Sequence, residues 1–158
     1  MTGGASFSRD GRYRYRLWRR WDRSRPAIAF CMLNPSTADA RRDDPTIRRC
    51  IGFARDWGYG GIEVVNIFAL RATDPRELRS ARDPVGPRND AFMLRAAAQS
   101  PVVIAWGVHG VLRGRDAKAL RLFGPRARLL ALGHTRSGAP RHPLYLRRDA
   151  EATKYAPA

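Results

Sequence analysis

Apolar residues in this chain gather in short runs separated by helical spacings, and that alternation predicts the elements. Residues 26–33, PAIAFCML, are nearly all apolar, as suits a strand buried on both faces. The run breaks at Asn34-Pro35. A helix is expected to begin at Asp44-Pro45, with Asp44 as its cap and Pro45 in its first turn. Apolar positions 47, 50, 51, 54 and 57 then keep a helical period up to Gly58, which is placed to end it. The cycle repeats. GIEVVNIF at 61–68 reads as a strand, a polar loop rich in proline holds one short helical turn, and a helix spans about 89–99. PVVIAWG (101–107) is a further apolar strand, RDAKALRLF (115–123) a short helix closed by Gly124, and RLLALGHT (128–135) another strand.

Near the N-terminus the period changes. RYRYRLW (12–18) alternates at the two-residue spacing of a strand, after an Asp10-Gly11 pair that reads as a hairpin turn. Tyr13, Tyr15 and Leu17 are expected to face inward and Arg12, Arg14 and Arg16 outward. That arginine row suits either a solvated edge strand or a nucleic-acid face.

Strands alternating with helices predict parallel βαβ units and a sheet covered on both faces. In such sheets the ligand sits beyond the carboxyl ends of the strands. Here those ends are LNPST, NIFALR, AWGVHG and GHTRSGAPRHPLY, so polar residues, glycines and aromatics are expected along one edge. At 158 residues the chain suits one domain: an N-terminal hairpin at about 7–22, an α/β core at about 26–147 and a flexible tail at 148–158.

Charge adds a partner to this picture. Lys+Arg number 30 against 14 Asp+Glu, a formal net charge of +16, and only Lys118 and Lys154 are lysines. Guanidinium groups match phosphate oxygens and stack on bases, which favours nucleic acid, DNA ahead of RNA. An arginine-rich genome is the alternative source of the excess. No apolar run approaches the roughly 20 residues that cross a bilayer, and the N-terminus lacks the apolar core of a secretory signal. A cytoplasmic monomer without membrane contact is therefore expected. Cys31 and Cys50 sit in apolar contexts and read as buried, reduced thiols. With three scattered histidines they do not make an obvious four-ligand zinc set, so no metal and no cofactor is expected.

The motifs of dinucleotide, NTPase, serine-hydrolase and zincin sites are missing from the sequence. What remains is LNPSTADARRDDPTIRRC, followed by VVNIFALRATDP, AWG and LGHTRSGAPRHPLYL. From about Phe7 to Arg147 this set resembles a bacterial and phage family described as a domain of unknown function. It also resembles, more distantly, the uracil-DNA glycosylase superfamily. LNPSTADA at 33–40 is similar to the INPGxSSA motif of the mismatch-specific branch, and HPLY at 142–145 to the start of an HPSP motif. Ser36 stands where that branch has glycine, and Leu144-Tyr145 follows His142-Pro143 in place of the serine.

The glycosylase resemblance implies a three-layer α/β/α sandwich with a short, mostly parallel central sheet. It also implies hydrolysis of the N-glycosidic bond of a damaged, mismatched or modified base. That chemistry needs an oriented water, stabilisation of negative charge on the departing base, and a base held out of the stack. Asn34 is the candidate to orient the water and His142 the candidate to hydrogen-bond the leaving base. Ser36, Thr37, Asn66 and Tyr145 are candidate substrate contacts, Phe68 or Trp106 a stacking face, and Arg71, Arg136 and Arg141 candidate phosphate ligands. Each has a plainer reading as well: Asn-Pro is a common turn, Asp44 a helix cap, Asp39 and Asp43 solvated, and Phe68 and Trp106 core. A non-catalytic nucleic-acid-binding module and an enzyme of free nucleosides or nucleotides are the two alternative functions.

Overall fold

Every apolar run that the pattern marks as a strand forms one in a computed structural model, which describes residues 1–157. The chain is α/β, with a seven-stranded mixed sheet in the order β1-β2-β4-β3-β5-β6-β7. The strands are β1 (Thr2–Phe7), β2 (Arg14–Arg20), β3 (Ala27–Met32), β4 (Gly61–Asn66), β5 (Val102–Ile104), β6 (Leu129–Ala131) and β7 (Thr153–Lys154). The helices are α1 (Pro45–Asp56), α2 (Pro75–Ser80), α3 (Asn89–Gln99) and α4 (Arg115–Phe123), with an irregular 3-10 stretch at Val108–Gly114 before α4.

The sheet is parallel only at its centre. β3 pairs in parallel with β4 and β5, and β5 with β6, whereas β1, β2 and β7 join antiparallel. The expectation of a mostly parallel sheet thus holds for the four inner strands and fails at both edges. The C-terminal tail, expected to be flexible, supplies β7 and covers the open edge of β6.

Alternation along β3 explains the continuous apolar run. Ile28, Phe30 and Met32 pack against Ile47, Cys50, Ile51, Phe53 and Ala54 of α1. Ala29 and Cys31, pointing the other way, join a cluster with Phe92, Met93 and Ala96 of α3 and Ala119 and Phe123 of α4. Both cysteines are free and fully buried, and burial pushes their thiols far up from the ordinary value, so neither is a thiolate. α1 starts as its sequence predicts: Asp44 Oδ1 accepts the Ile47 amide at 2.9 Å and Pro45 occupies the first turn. Among the described residues no helix is long and apolar enough to cross a membrane.

The N-terminal hairpin departs from its period-two reading. β2 is not the edge; β1 lies outside it. The β1–β2 register runs Ser6↔Arg16 and then Phe7↔Arg14, so Tyr15 is an extra residue on β2. A bulge of this kind reverses the side-chain phase. Tyr15 stacks on Phe92 of α3, while Arg14 turns away from solvent and is only 2% exposed. Arg16 stays at the surface and pairs with Glu63 of β4. Glycine explains why β1 can cover this strand: a Cβ on Gly3 would meet Arg19 Cδ at 2.8 Å, and one on Gly4 would meet Trp18 Nε1 at 2.6 Å.

Candidate active site at the carboxyl ends of the parallel strands

Among the four parallel strands, β3 has β4 on one side and β5 on the other, so the chain steps from β3 to β4 and then crosses back past β3 to reach β5. That is the switch point at which open α/β sheets hold their ligands. A small cleft of about 40 Å³ opens there, lined by Arg14, Asn34, Ser36, Asp44, Asn66 and His142 with Met32, Pro35, Thr46 and Ile47. Asn34 and His142, 108 positions apart in the chain, therefore face the same space.

Each lining residue is held by the backbone around it. After β3 and β4 the two loops zip together: Ile67 N donates to Met32 O, Phe68 N to Leu33 O and Ala72 N to Pro35 O. Asn34 joins this seam, its Nδ2 donating to Ala72 O at 2.8 Å and to Pro35 O at 3.1 Å. Its Oδ1 accepts from no side chain or backbone group among the described residues, and Asn34 lines the cleft. Asn34 thus both fastens the turn and lines the cleft.

Asn66 ends β4 and is 1% exposed, yet neither Nδ2 nor Oδ1 has a hydrogen-bond partner. Unpaired buried amides are costly and uncommon. Its backbone is well fixed. Asn89 Nδ2 donates to Asn66 O at 2.7 Å, and Arg115 Nε donates to Ile67 O at 2.7 Å. Asn66 thus lines the cleft from a strand end fixed by its backbone, with its amide donor and acceptor unpaired.

His142 arrives from the far side of the sheet. Gly107, with φ 73°, turns the chain as it leaves the end of β5, and its amide donates to Pro140 O at 2.9 Å. Arg141 N donates to Gly133 O at 3.0 Å beyond β6. These bonds lay the 140–143 segment across the strand ends. His142 Nδ1 accepts the Leu144 amide at 3.2 Å, which leaves the proton of a neutral imidazole on Nε2.

Burial pulls the His142 pKa below its ordinary value of 6.5, against a smaller opposing pull from the Asp44 carboxylate. As pH falls through 6.5 the unfolded chain therefore takes up this proton before the folded one does. The folded state loses stability in that window, down to its own lowered pKa. Thermal melts between neutral and mildly acidic pH are expected to show this loss, and His142→Phe is expected to flatten it.

Two charged residues line the cleft that the motifs do not assign to it. Arg14 was expected to face outward, and the bulge at Tyr15 that redirects it has no signal in the alternation. Asp44 was read as a cap, which it is; its Oδ2 also accepts the Ala38 amide at 3.3 Å, so the same carboxylate braces the loop above the cleft.

The other sequence candidates are dispersed. Ser36 and Asn66 line the cleft, while Thr37 is exposed beside it. Phe68 is fully buried and Trp106 is 3% exposed, its indole packed under Gly110, so neither ring has a face open to a ligand. Tyr145 is 96% exposed with φ 71°, and it lines a separate groove of about 700 Å³ between α1 and the 144–148 segment, with Arg48, Arg49 and Arg148. Arg71 lies over the Phe7 ring, Arg141 Nε donates to His134 O at 3.1 Å, and Arg136 is exposed; none of the three lines the cleft.

Asp39 and Asp43, with a plain reading as solvated carboxylates, instead shape the loop. Asp39 Oδ1 accepts the amides of Arg41 and Arg42, and those bonds hold its pKa below the usual carboxylate value. Asp43 pairs with Arg19 at 2.8 Å.

A family model described as "Protein of unknown function (DUF1643)" matches residues 14–144. The chain belongs to that family. The match begins at Arg14 and ends two residues after His142, so it takes in every residue that lines the cleft. No curated protein and no solved structure matches the chain.

Proposed function

We propose that this DUF1643 protein hydrolyses the N-glycosidic bond of a damaged, mismatched or modified base in DNA. The observation that carries this reading is the convergence of Asn34 and His142 on one cleft at the strand ends. The order and spacing of LNPSTADA and HPLY, together with helices against both faces of the central strands, support a uracil-DNA-glycosylase-like three-layer arrangement.

In this mechanism Asn34 Oδ1 accepts a hydrogen bond from the attacking water and aims it at C1′ of the sugar. An amide is too weak a base to take the proton, so its contribution is orientation. His142 Nε2–H donates to the departing base and steadies its growing charge. Asn66, with a donor and an acceptor unpaired, complements the donor–acceptor edge of a base. At about 40 Å³ the cleft has room on the scale of a few waters, so the base enters by its polar edge.

A second reading is a binding module without catalysis. It is favoured by the contrast between that narrow cleft and the 700 Å³ groove carrying Arg48, Arg49, Arg148 and the exposed Tyr145. Stacking and phosphate contact there would hold a strand without cutting any bond.

One assay separates these. Abasic-site formation is measured over oligonucleotides bearing modified bases, single- and double-stranded, alongside free nucleosides, for wild type, Asn34→Ala and His142→Ala. Product from DNA that is lost in the variants supports the glycosylase. Salt-dependent DNA binding without product from any substrate, unchanged in both variants, supports the binding module. Turnover of free nucleosides with no gain from the polymer would move the substrate away from DNA.

A further inference from the structure

We propose that Arg14 is the residue that takes up the negative charge of the departing base, a role that rests on the glycosylase reading above. Three arginines are buried among the described residues, Arg14, Arg19 and Arg115, each no more than 4% exposed. Two are compensated. Arg19 pairs with Asp43 and also donates to Asp39 O, Arg42 O and Trp18 O. Arg115 pairs with Asp90 and donates to Ile67 O. Arg14 has no carboxylate within ion-pair distance; its one hydrogen bond runs from Nη1 to Ala38 O at 3.0 Å, and its Nε has no partner.

A buried cation without an ion pair is expensive, and an anionic ligand would supply the missing partner. The carboxylate that lines the cleft with it is Asp44, whose charge favours the Arg14 cation without an ion pair, and both Asp44 oxygens are engaged by backbone amides, those of Ile47 and Ala38. Asn34 and Asn66 are neutral, and His142 is held neutral by burial. The cleft therefore contains one cation without an anionic hydrogen-bond partner. Burial draws the Arg14 pKa down to about 10, which still leaves it charged at neutral pH.

The step balances without another reactant. The C1′–N bond breaks with its electron pair on the base, the water oxygen bonds C1′, and a proton from that water ends on the base nitrogen. Between bond breaking and that proton transfer the base is an anion. A guanidinium N–H held in a dry cleft stabilises it far better than water does, because the donor is preorganised and the local dielectric is low. His142 Nε2–H shares the task as a neutral donor.

The test uses two DNA substrates that differ only in the acidity of the departing base, such as a pyrimidine and its 5-fluoro analogue. Arg14→Met is expected to lower the rate by about 100- to 1,000-fold on the less acidic base and clearly less on the more acidic one. Arg14→Lys, which keeps a charge, is expected to recover part of the difference. Thermal stability of Arg14→Met is expected to match or exceed wild type, since an apolar side chain of similar length replaces an unpaired buried charge. Equal losses on both substrates, or no loss, overturn the proposal while leaving the glycosylase reading intact. A bromide soak of wild-type crystals needs neither variant nor product. Bromide within hydrogen-bond reach of the Arg14 guanidinium in the cleft supports the charge receptor, and water alone at that place overturns it. Bromide bound there in a protein that forms no product on any substrate removes the glycosylase reading and leaves Arg14 as an anion receptor.

Discussion

Asn34→Ala is expected to reduce abasic-site formation by roughly 100-fold, the scale on which a misplaced reactant costs an enzyme. Alanine removes the oxygen that aims the water and contributes nothing in its place. It also removes Nδ2, whose hydrogen bonds to Ala72 O and Pro35 O tie the loop after β3 to the loop after β4. That second loss is expected to lower stability by about 1–2 kcal/mol, visible in urea titration as a shifted midpoint. The rate loss must therefore be measured well below the melting temperature, where the variant is fully folded. Asn34→Asp separates the two jobs. It keeps an acceptor for the water but turns a carboxylate toward two carbonyl oxygens, so it is expected to be less stable than Asn34→Ala and faster per folded molecule. If the aspartate variant is no faster than the alanine variant, Asn34 acts only as a fastener of the two loops.

The pair Asn34 and His142 was legible because Asn34 stands in a short motif at the end of an apolar run and His142 in a second motif after the last such run, and strand ends of parallel units share one edge. Asn66 was legible because strand ends share that edge, as the polar residue that directly follows GIEVV. Arg14 was not. Its position in an alternating RYRYR string points outward, and only the unpaired register at Tyr15 reverses it. β1 was likewise hidden, since TGGASF has one branched residue, Thr2, and no alternation; its glycines make sense only once Trp18 and Arg19 are seen lying across them. The aromatic candidates show the opposite failure. Phe68 and Trp106 stand in the right stretch of sequence at the strand ends, but the chain turns their rings into the core, where apolar burial outweighs any use at the surface. Period and motif predict the edge at which polar candidates gather; which side chains reach it depends on bulges and turns that leave no trace in composition.

The loop over the cleft depends on a residue outside it, and Arg19→Ala is expected to destabilise the protein by about 3 kcal/mol. Arg19 is 4% exposed and makes four contacts that a shorter side chain cannot replace: Nε to Asp43 at 2.8 Å, Nη2 to Asp39 O at 2.7 Å and Arg42 O at 3.2 Å, and Nη1 to Trp18 O at 2.9 Å. Removing it leaves carbonyls unpaired and a carboxylate without its partner, and Asp43, with 29% of its side chain exposed, is only partly rescued by water. The damage reaches the site through one residue, because Asp39 follows Ala38, whose carbonyl holds Arg14 Nη1. Arg16→Ala is the matched control on the same strand. Its pair with Glu63 is at least as short, yet a third of the Arg16 side chain is exposed, so its loss is expected to cost no more than about 1 kcal/mol. Urea titrations of both variants measure the contrast directly. Similar midpoints would mean that the Arg19 contacts are as weak as an ordinary surface pair, and that the NPSTADA loop is held over the cleft by its own turns instead of by β2.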